Sequence, residues 1–333
     1  MKWFEEQPRV LMCAIAVLAA VVGFTSPALA EWPERPIKII IPWKAGAGAI
    51  DQMTRQLQKS VADGKISKQP ITIFNIGGPI PIGLRQAKRE KPDGYNFVVM
   101  HTAIMTLQAA EKIDFGYKDF EPVARLGQFC QTTSVHKKTG ITSLNELLDR
   151  AATKPNTLVH GANLGAINHV YGIMVQDLKK GAKFRFVQTG GDAGTFPEFK
   201  GGRVHVAGFS AAGATNFALG ADGKPDPKSP VRMLAYAGSV RHKNFSDVPT
   251  FKELGYNLQF CVDGWYLAPK GTPKEAIDGF ANIVKRSLAD KGMQNFLAKK
   301  AMVGNFQTGA ELRAEMDRQW KAIAPIAARA RRK

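Results

Sequence analysis

An α/β protein built from two successive units is what this sequence predicts, and three observations predict it. Apolar runs of strand length alternate with stretches of helical periodicity from residue 37 to residue 219. One junction, in which an apolar run closes into a small-residue loop that opens a helix, occurs three times, near 39–56, 160–170 and 188–196. The chain has 333 residues, 44% of them hydrophobic and 22% charged, which suits one large domain or two medium ones with a real core. Strand alternating with helix implies a parallel sheet covered on both faces.

The elements follow in order. IKIIIPW (37–43) reads as a buried strand. Ile50, Met53, Leu57 and Val61 recur at helical spacing, so 51–63 reads as an amphipathic helix. ITIFN (71–75) is a second strand and 80–89 a short helix. KPDG (91–94) is a turn, because proline fixes φ and glycine permits positive φ. NFVVMH (96–101) is a third strand, followed by a helix over 103–111. A second series begins after GQFCQTTSV. Thr142 and Ser143, good N-cap types, introduce a helix near 143–153. Strand TLVHG, a helix over 166–178, strand FRFVQ, a helix near 192–200, strand RVHVAG and a helix near 212–219 follow. After the polar loop ADGKPDPKSP (221–230), RMLAYA (232–237) is another strand. GWYLAPKGTP leads into helices near 274–290, 292–301 and 309–330, and Pro325 should end or kink the last.

The first thirty residues read as a secretory signal peptide. Lys2 and Arg9 precede a fifteen-residue uncharged apolar run (10–24), and Ala28-Leu29-Ala30 forms a cleavage signal before Glu31. A transmembrane anchor is the alternative, but the run is short for a span. Met12 before Cys13 is too bulky for a typical lipoprotein site. Cleavage removes Lys2, Arg9, Glu5 and Glu6, which cancel, so the mature chain keeps its net charge of +18. Such a charge favours anionic partners. Nucleic acid is not expected, because the basic residues are spread along the chain and an exported protein rarely meets it. Cleavage also removes Cys13 and leaves Cys130 and Cys261 in an oxidising compartment, where two cysteines can pair or remain free.

The three small-residue loops carry the chemistry. Gly46 and Gly48 begin a dinucleotide-like pattern, but Asp51 stands where its last glycine belongs, and the second strand ends in Asn75 rather than an acid. No Gly-Lys-Ser/Thr follows, so the loop is not a P-loop. A nucleotide is therefore not expected. Helix N-termini still bind smaller anions through free N–H groups and the macrodipole, while a plain tight turn is the simpler reading of any one loop. Three such loops at the carboxyl ends of strands open on the edge where open α/β sheets carry ligands. Together they predict a small-anion cleft lined by backbone N–H groups.

Other chemistries find less support. GFSAA (208–212) nearly matches a nucleophile elbow at Ser210, but Ala212 replaces its second glycine, and His242 precedes Asp247 in the wrong order for that fold. A secreted α/β hydrolase using Ser210 is the alternative function, and a small-residue strand-to-helix turn the simpler reading. The histidines, at 101, 136, 160, 169, 205 and 242, form no metal motif, so neither metal nor cofactor is expected. His169 either faces the cleft or is structural. Asp51 sits in a first helical turn, where it caps and shapes the loop or touches ligand.

An ordered set of segments resembles one family. WPERPIKIIIPW, the Gly/Ala loop, Asp51 and Arg55 come first, then KPDGYNF (91–97), FEPVARL (120–126), TSLNELLDRAATKPNTL (142–158) and GAINHV (165–170). GGRVHVA (201–207), DVPTFKELGY (247–256) and WYLAPKGTP (265–273) complete the set. It covers nearly the whole mature chain and is similar to the substrate-binding proteins of tripartite tricarboxylate transporters, the TctC or Bug family.

The resemblance implies a two-lobed type II periplasmic binding fold, each lobe a mostly parallel sheet flanked by helices, with a ligand cleft between them. Lobe one would be 31–130 plus 262–333, and lobe two 131–261. Such proteins capture small carboxylates in the periplasm and deliver them to a membrane permease; a sensing module feeding a signalling partner is another use of the fold. A monomer and a non-enzymatic role are expected. Backbone N–H groups and bridging waters would hold the carboxylate. Carried over here, the first loop supplies Lys44, Ala45, Gly46, Ala47, Gly48 and Asp51. The second supplies Gly165, Ala166, Ile167, Asn168 and His169, and the third Thr189, Gly190, Gly191 and Asp192. The chain departs from the family pattern at Lys44, which adds a charge, at Ala47, which replaces a glycine, in NIGGPIPIG (75–83), and at His205, where Asp is common. Lys44 is expected to pair with a second carboxylate or other anionic group. Cys130 and Cys261 fall near the implied crossovers, whose adjacent strands would bring them within pairing distance.

Overall fold

A computed structural model describes residues 32–46, 48–220, 222–300 and 302–331. The signal peptide expected over 1–30 lies outside the described residues, as does Ala47. No described helix is long and apolar enough to cross a membrane.

The first half forms β1 (Ile37–Ile41), α1 (Ala49–Asp63), β2 (Ile71–Asn75), α2 (Ile80–Arg89), β3 (Asn96–His101) and α3 (Ala103–Ala109). β1 pairs in parallel with both β2 and β3, and its isoleucines 37, 39, 40 and 41 are buried because helices cover both faces of a central strand. Met53, Leu57 and Val61 turn one face of α1 onto this core.

A seventeen-residue strand, β4 (Phe120–His136), then leaves the first sheet and enters a second. There α4 (Leu144–Thr153), β5 (Val159–Ala162), α5 (Ile167–Gln176), β6 (Arg185–Gln188), α6 (Asp192–Lys200), β7 (Val206–Ser210), α7 (Ala211–Ala218) and β8 (Val231–Tyr236) follow. Ser143 caps α4, accepting from the Glu146 N–H at 3.2 Å. The return strand β9 (Cys261–Pro269) leads to α8 (Lys274–Ala289), α9 (Lys291–Lys299), β10 (Val303–Thr308) and α10 (Gly309–Ala328). α10 continues through Pro325 for three further residues rather than ending there.

The strand order is β2-β1-β3-β9-β4-β7-β5-β6, with β8 and β10 paired to β4. The sheets are mixed rather than mostly parallel. Parallel pairs are confined to β2-β1-β3 and β6-β5-β7, while β9, β10 and β8 pair antiparallel. The physical reason is the crossing itself. The chain passes between sheets along β4 and returns along β9, and two neighbouring strands running out and back are necessarily antiparallel. β4 pairs with β9 up to Cys130 opposite Cys261, then pairs with β7 from Gln131 opposite Ser210. A disulfide joins Cys130 to Cys261 at this point, with Cα atoms 3.8 Å apart.

Candidate functional site

The first loop, between β1 and α1, is built around Asp51. This side chain is fully buried. Its Oδ2 accepts from the Gly46 N–H at 2.9 Å and from Arg55 Nε at 2.9 Å. Asn75 Nδ2 donates to Asp51 Oδ1 at 2.8 Å and to the Trp43 carbonyl at 3.2 Å. The carboxylate therefore shapes the loop from behind. Gly48 caps α1 at φ 92°, a left-handed value that strains any other residue and lets the backbone approach the cavity.

The second and third loops are tied to each other. Asn168, in the first turn of α5, accepts from the Asn163 N–H at 3.0 Å and donates from Nδ2 to the Gly190 carbonyl at 3.0 Å. Gln188 accepts from the Leu164 N–H at 2.8 Å. Gly190 takes φ 95° to turn the chain from β6 into α6. The third loop also meets β7, where the Ser210 hydroxyl donates to Asp192 Oδ2 and accepts from the Gly213 N–H at 3.0 Å.

These loops surround a cavity of ≈ 630 Å³. From the first loop Lys44, Ala45, Gly46 and Gly48 line it; from the second Ala166, Ile167 and Asn168; from the third Gly190, Gly191 and Asp192. Four other expected residues sit behind this wall. Asp51 is occupied as described. Gly165 donates its N–H to His169 Nδ1 at 3.0 Å, and the His169 ring meets Phe186 edge-on. Thr189 shares a 2.8 Å hydrogen bond with Thr195. His205, a departure from the family pattern and not an expected ligand residue, does not line the cavity and accepts from the Val159 N–H through Nδ1 at 3.2 Å.

Sequence reasoning missed part of the wall: Trp43, Ile80, His101, Phe129, Gln131 and, as a lining group, Ser210. Trp43 directly precedes the loop and His101 ends β3, so the rule that ligands meet carboxyl ends of strands had the power to find both. Phe129 and Gln131 lie on the crossover strand, which carries no such signal.

Electrostatics divide the wall. Burial pushes His101 down to about 3, so its ring is neutral. Its Nδ1 accepts from the Ala103 N–H at 3.1 Å, which puts the ring proton on Nε2. His169 is pushed down to about 4 by burial and by the nearby Lys112 charge. Asp192 is pushed up to about 6 by burial, against the opposing pull of the Ser210 hydroxyl and N–H. Lys44 is exposed at the rim. Where α1, α5 and α6 begin, the first-turn N–H groups lack intrahelical acceptors and the helix dipoles are positive. Such an arrangement is suited to a small anion. Among the described residues no three His, Cys, Asp or Glu side chains gather to hold a metal.

Two α/β lobes joined by two crossover strands, with a cavity walled by loops from both, define the periplasmic-binding-protein class of fold. The family model described as tripartite tricarboxylate transporter family receptor, TctC, matches residues 53–327, and the chain belongs to that family. A Cupriavidus necator protein described as UPF0065 protein in gbd 5'region is 26% identical over 331 residues, covering 96% of this chain and 97% of that protein. Two solved structures share the fold. MatC of Rhodopseudomonas palustris with bound malate has TM-score 0.77 and 21% identity, covering 89% of this chain and 100% of its own. R. palustris Rpa4515 with adipate has TM-score 0.79 and 21% identity, covering 89% and 98%.

Proposed function

We propose that the protein is an extracytoplasmic solute-binding protein. It captures a small carboxylate between its lobes and delivers it to a tripartite tricarboxylate-type permease. The observation that carries this reading is the convergence of three loop-to-helix junctions, from both lobes, on one cavity. Charge-assisted hydrogen bonds are worth about 1.5–3 kcal/mol each, so a few of them, less the cost of association, supply the roughly 8 kcal/mol of micromolar binding. The malate and adipate of the two structural relatives support the same ligand class. Closure of the lobes on the ligand is the state the permease would read.

In this reading the lobes are 31–130 plus 262–333 and 131–261, limits supported by the change of strand partners after Cys130. The leader would be cleaved after Ala30 to give a monomer in the periplasm. No catalysis is involved. The Ser210 proton is directed at the Asp192 carboxylate and its oxygen accepts from the Gly213 N–H as the cap of α7, so its hydroxyl is engaged in shaping the turn rather than paired with the histidine of a nucleophile elbow.

A thermal-shift screen against a carboxylate panel tests the reading. A ligand at 100 times its Kd stabilises the fold by about 2.7 kcal/mol. No shift across the panel, with folded and ligand-free protein, would sink it. Lys44, at the rim, is proposed to meet a second anionic group. Lys44→Ala should then weaken a dicarboxylate far more than a monocarboxylate, and equal losses would remove that role.

A further inference from the structure

The cavity wall is divided in character, and the division names the body of the ligand. Around the α5 and α6 N-termini the wall is backbone N–H, amide and carboxyl. The other part is Trp43, Ile50, Pro79, Ile80, His101 and Phe129. Trp43 and His101 lie against each other, with ring centroids 5.2 Å apart and planes 33° apart. The Trp43 backbone and the His101 ring are held from outside the cavity, while the Trp43 indole nitrogen is buried without a partner. The Trp43 backbone is fixed by its N–H to the Ile41 carbonyl at 2.8 Å and by Asn75 on its own carbonyl, and His101 by the Ala103 N–H. A neutral imidazole keeps this shelf free of charge. Gln131, only 3% exposed, also lines the cavity, and its Oε1 has no hydrogen-bond partner. A buried, unpartnered acceptor in a cavity wall points to an O–H or N–H donor on what enters, a substituent of the ligand or a bridging water, and not to the carboxylate itself.

We propose that the preferred ligand is a carboxylate carried on a planar aromatic ring. Its carboxylate lies at the N-termini of α5 and α6, and its ring lies on the Trp43–His101 shelf beside Phe129. The inference rests on the carboxylate-binding reading and narrows it. The volume lies within the roughly 300–1,000 Å³ of sites that enclose drug-sized molecules, far more than a four-carbon acid needs. The Trp43, Ile80 and Phe129 part of the wall offers the short chain of such an acid less contact than it offers a flat ring. A flat ring replaces water on that wall and stacks in the offset or edge-on geometries that aromatic pairs prefer.

The test is calorimetric titration of the purified protein with benzoate, cyclohexanecarboxylate and succinate, repeated on Trp43→Leu and Trp43→Phe. The expected result is benzoate at least tenfold tighter than succinate and tighter than the non-planar cyclohexane acid. Trp43→Leu should cost benzoate about tenfold and succinate little, and Trp43→Phe should restore most of the benzoate binding. Succinate binding as tightly as benzoate, or equal losses for both in Trp43→Leu, overturns the aromatic preference and leaves the carboxylate-binding reading standing. Binding of none of the three by folded, ligand-free wild-type protein overturns both.

Discussion

Two acids in the site do different work. Asp51 is buried but fully engaged by Gly46, Arg55 and Asn75, so its charge is spent holding a loop. Asp192 lies at the cavity and holds its proton up to about pH 6, above its ordinary value of 3.8. A raised carboxyl pKa means that the folded state binds the proton more tightly than the unfolded chain. Between about pH 4 and 6 stability therefore falls as pH rises, and the loss is complete above about 6. Allowing for screening at the cavity edge, its size is about 2 kcal/mol. Asp192→Asn removes this titration. Urea unfolding of both proteins at pH 4.5 and 7 should show the variant gaining about 2 kcal/mol on the wild type at the higher pH. Parallel pH profiles would contradict the assignment.

At the scale of elements, the site depends on how each loop delivers a helix start to the cavity. Gly190 turns β6 into α6 at φ 95°, whereas its neighbour Gly191 has an ordinary φ of −80° with open space where a Cβ would go. Gly190→Ala should cost about 1–3 kcal/mol and weaken ligand binding. Gly191→Ala should change stability by less than about 0.5 kcal/mol. Equal effects in thermal unfolding would show that the turn does not need its glycine. The same scale explains what was legible in the sequence. β1, α1 and β3 announced themselves by apolar runs or spacing, and the loops of the site by small residues. The far half of β4 did not, because Gln131, Thr132, Thr133 and Ser134 look like a surface connection yet are buried. Thr132 bonds the Phe209 carbonyl at 3.1 Å and Thr133 the Tyr171 hydroxyl at 2.8 Å, so partners met only in the fold satisfy their polarity. β10 was missed for the opposite reason, being a half-exposed edge strand without alternation. The pairing of the aromatic shelf was not legible because Trp43 follows β1, His101 ends β3 and Phe129 lies on β4, and only the sheet brings the three together.

At the scale of the molecule, two lobes meet along β4 and β9, and the Cys130–Cys261 disulfide ties these strands where β4 changes sheets. It closes a loop across 131 positions of sequence. Removing it with Cys130→Ser and Cys261→Ser together should cost about 2–4 kcal/mol, mainly by freeing the unfolded chain. Two free thiols in the oxidised wild-type protein would contradict the bond. The central claim is that backbone groups from both lobes grip one carboxylate. A crystal structure with the carboxylate that gives the largest thermal shift tests it most directly. The account predicts carboxylate oxygens about 2.7–3.2 Å from backbone nitrogens in the first turns of α5 or α6, with the lobe-one loop closing over them. A ligand found outside this cavity, or held there by side-chain cations alone, would contradict it.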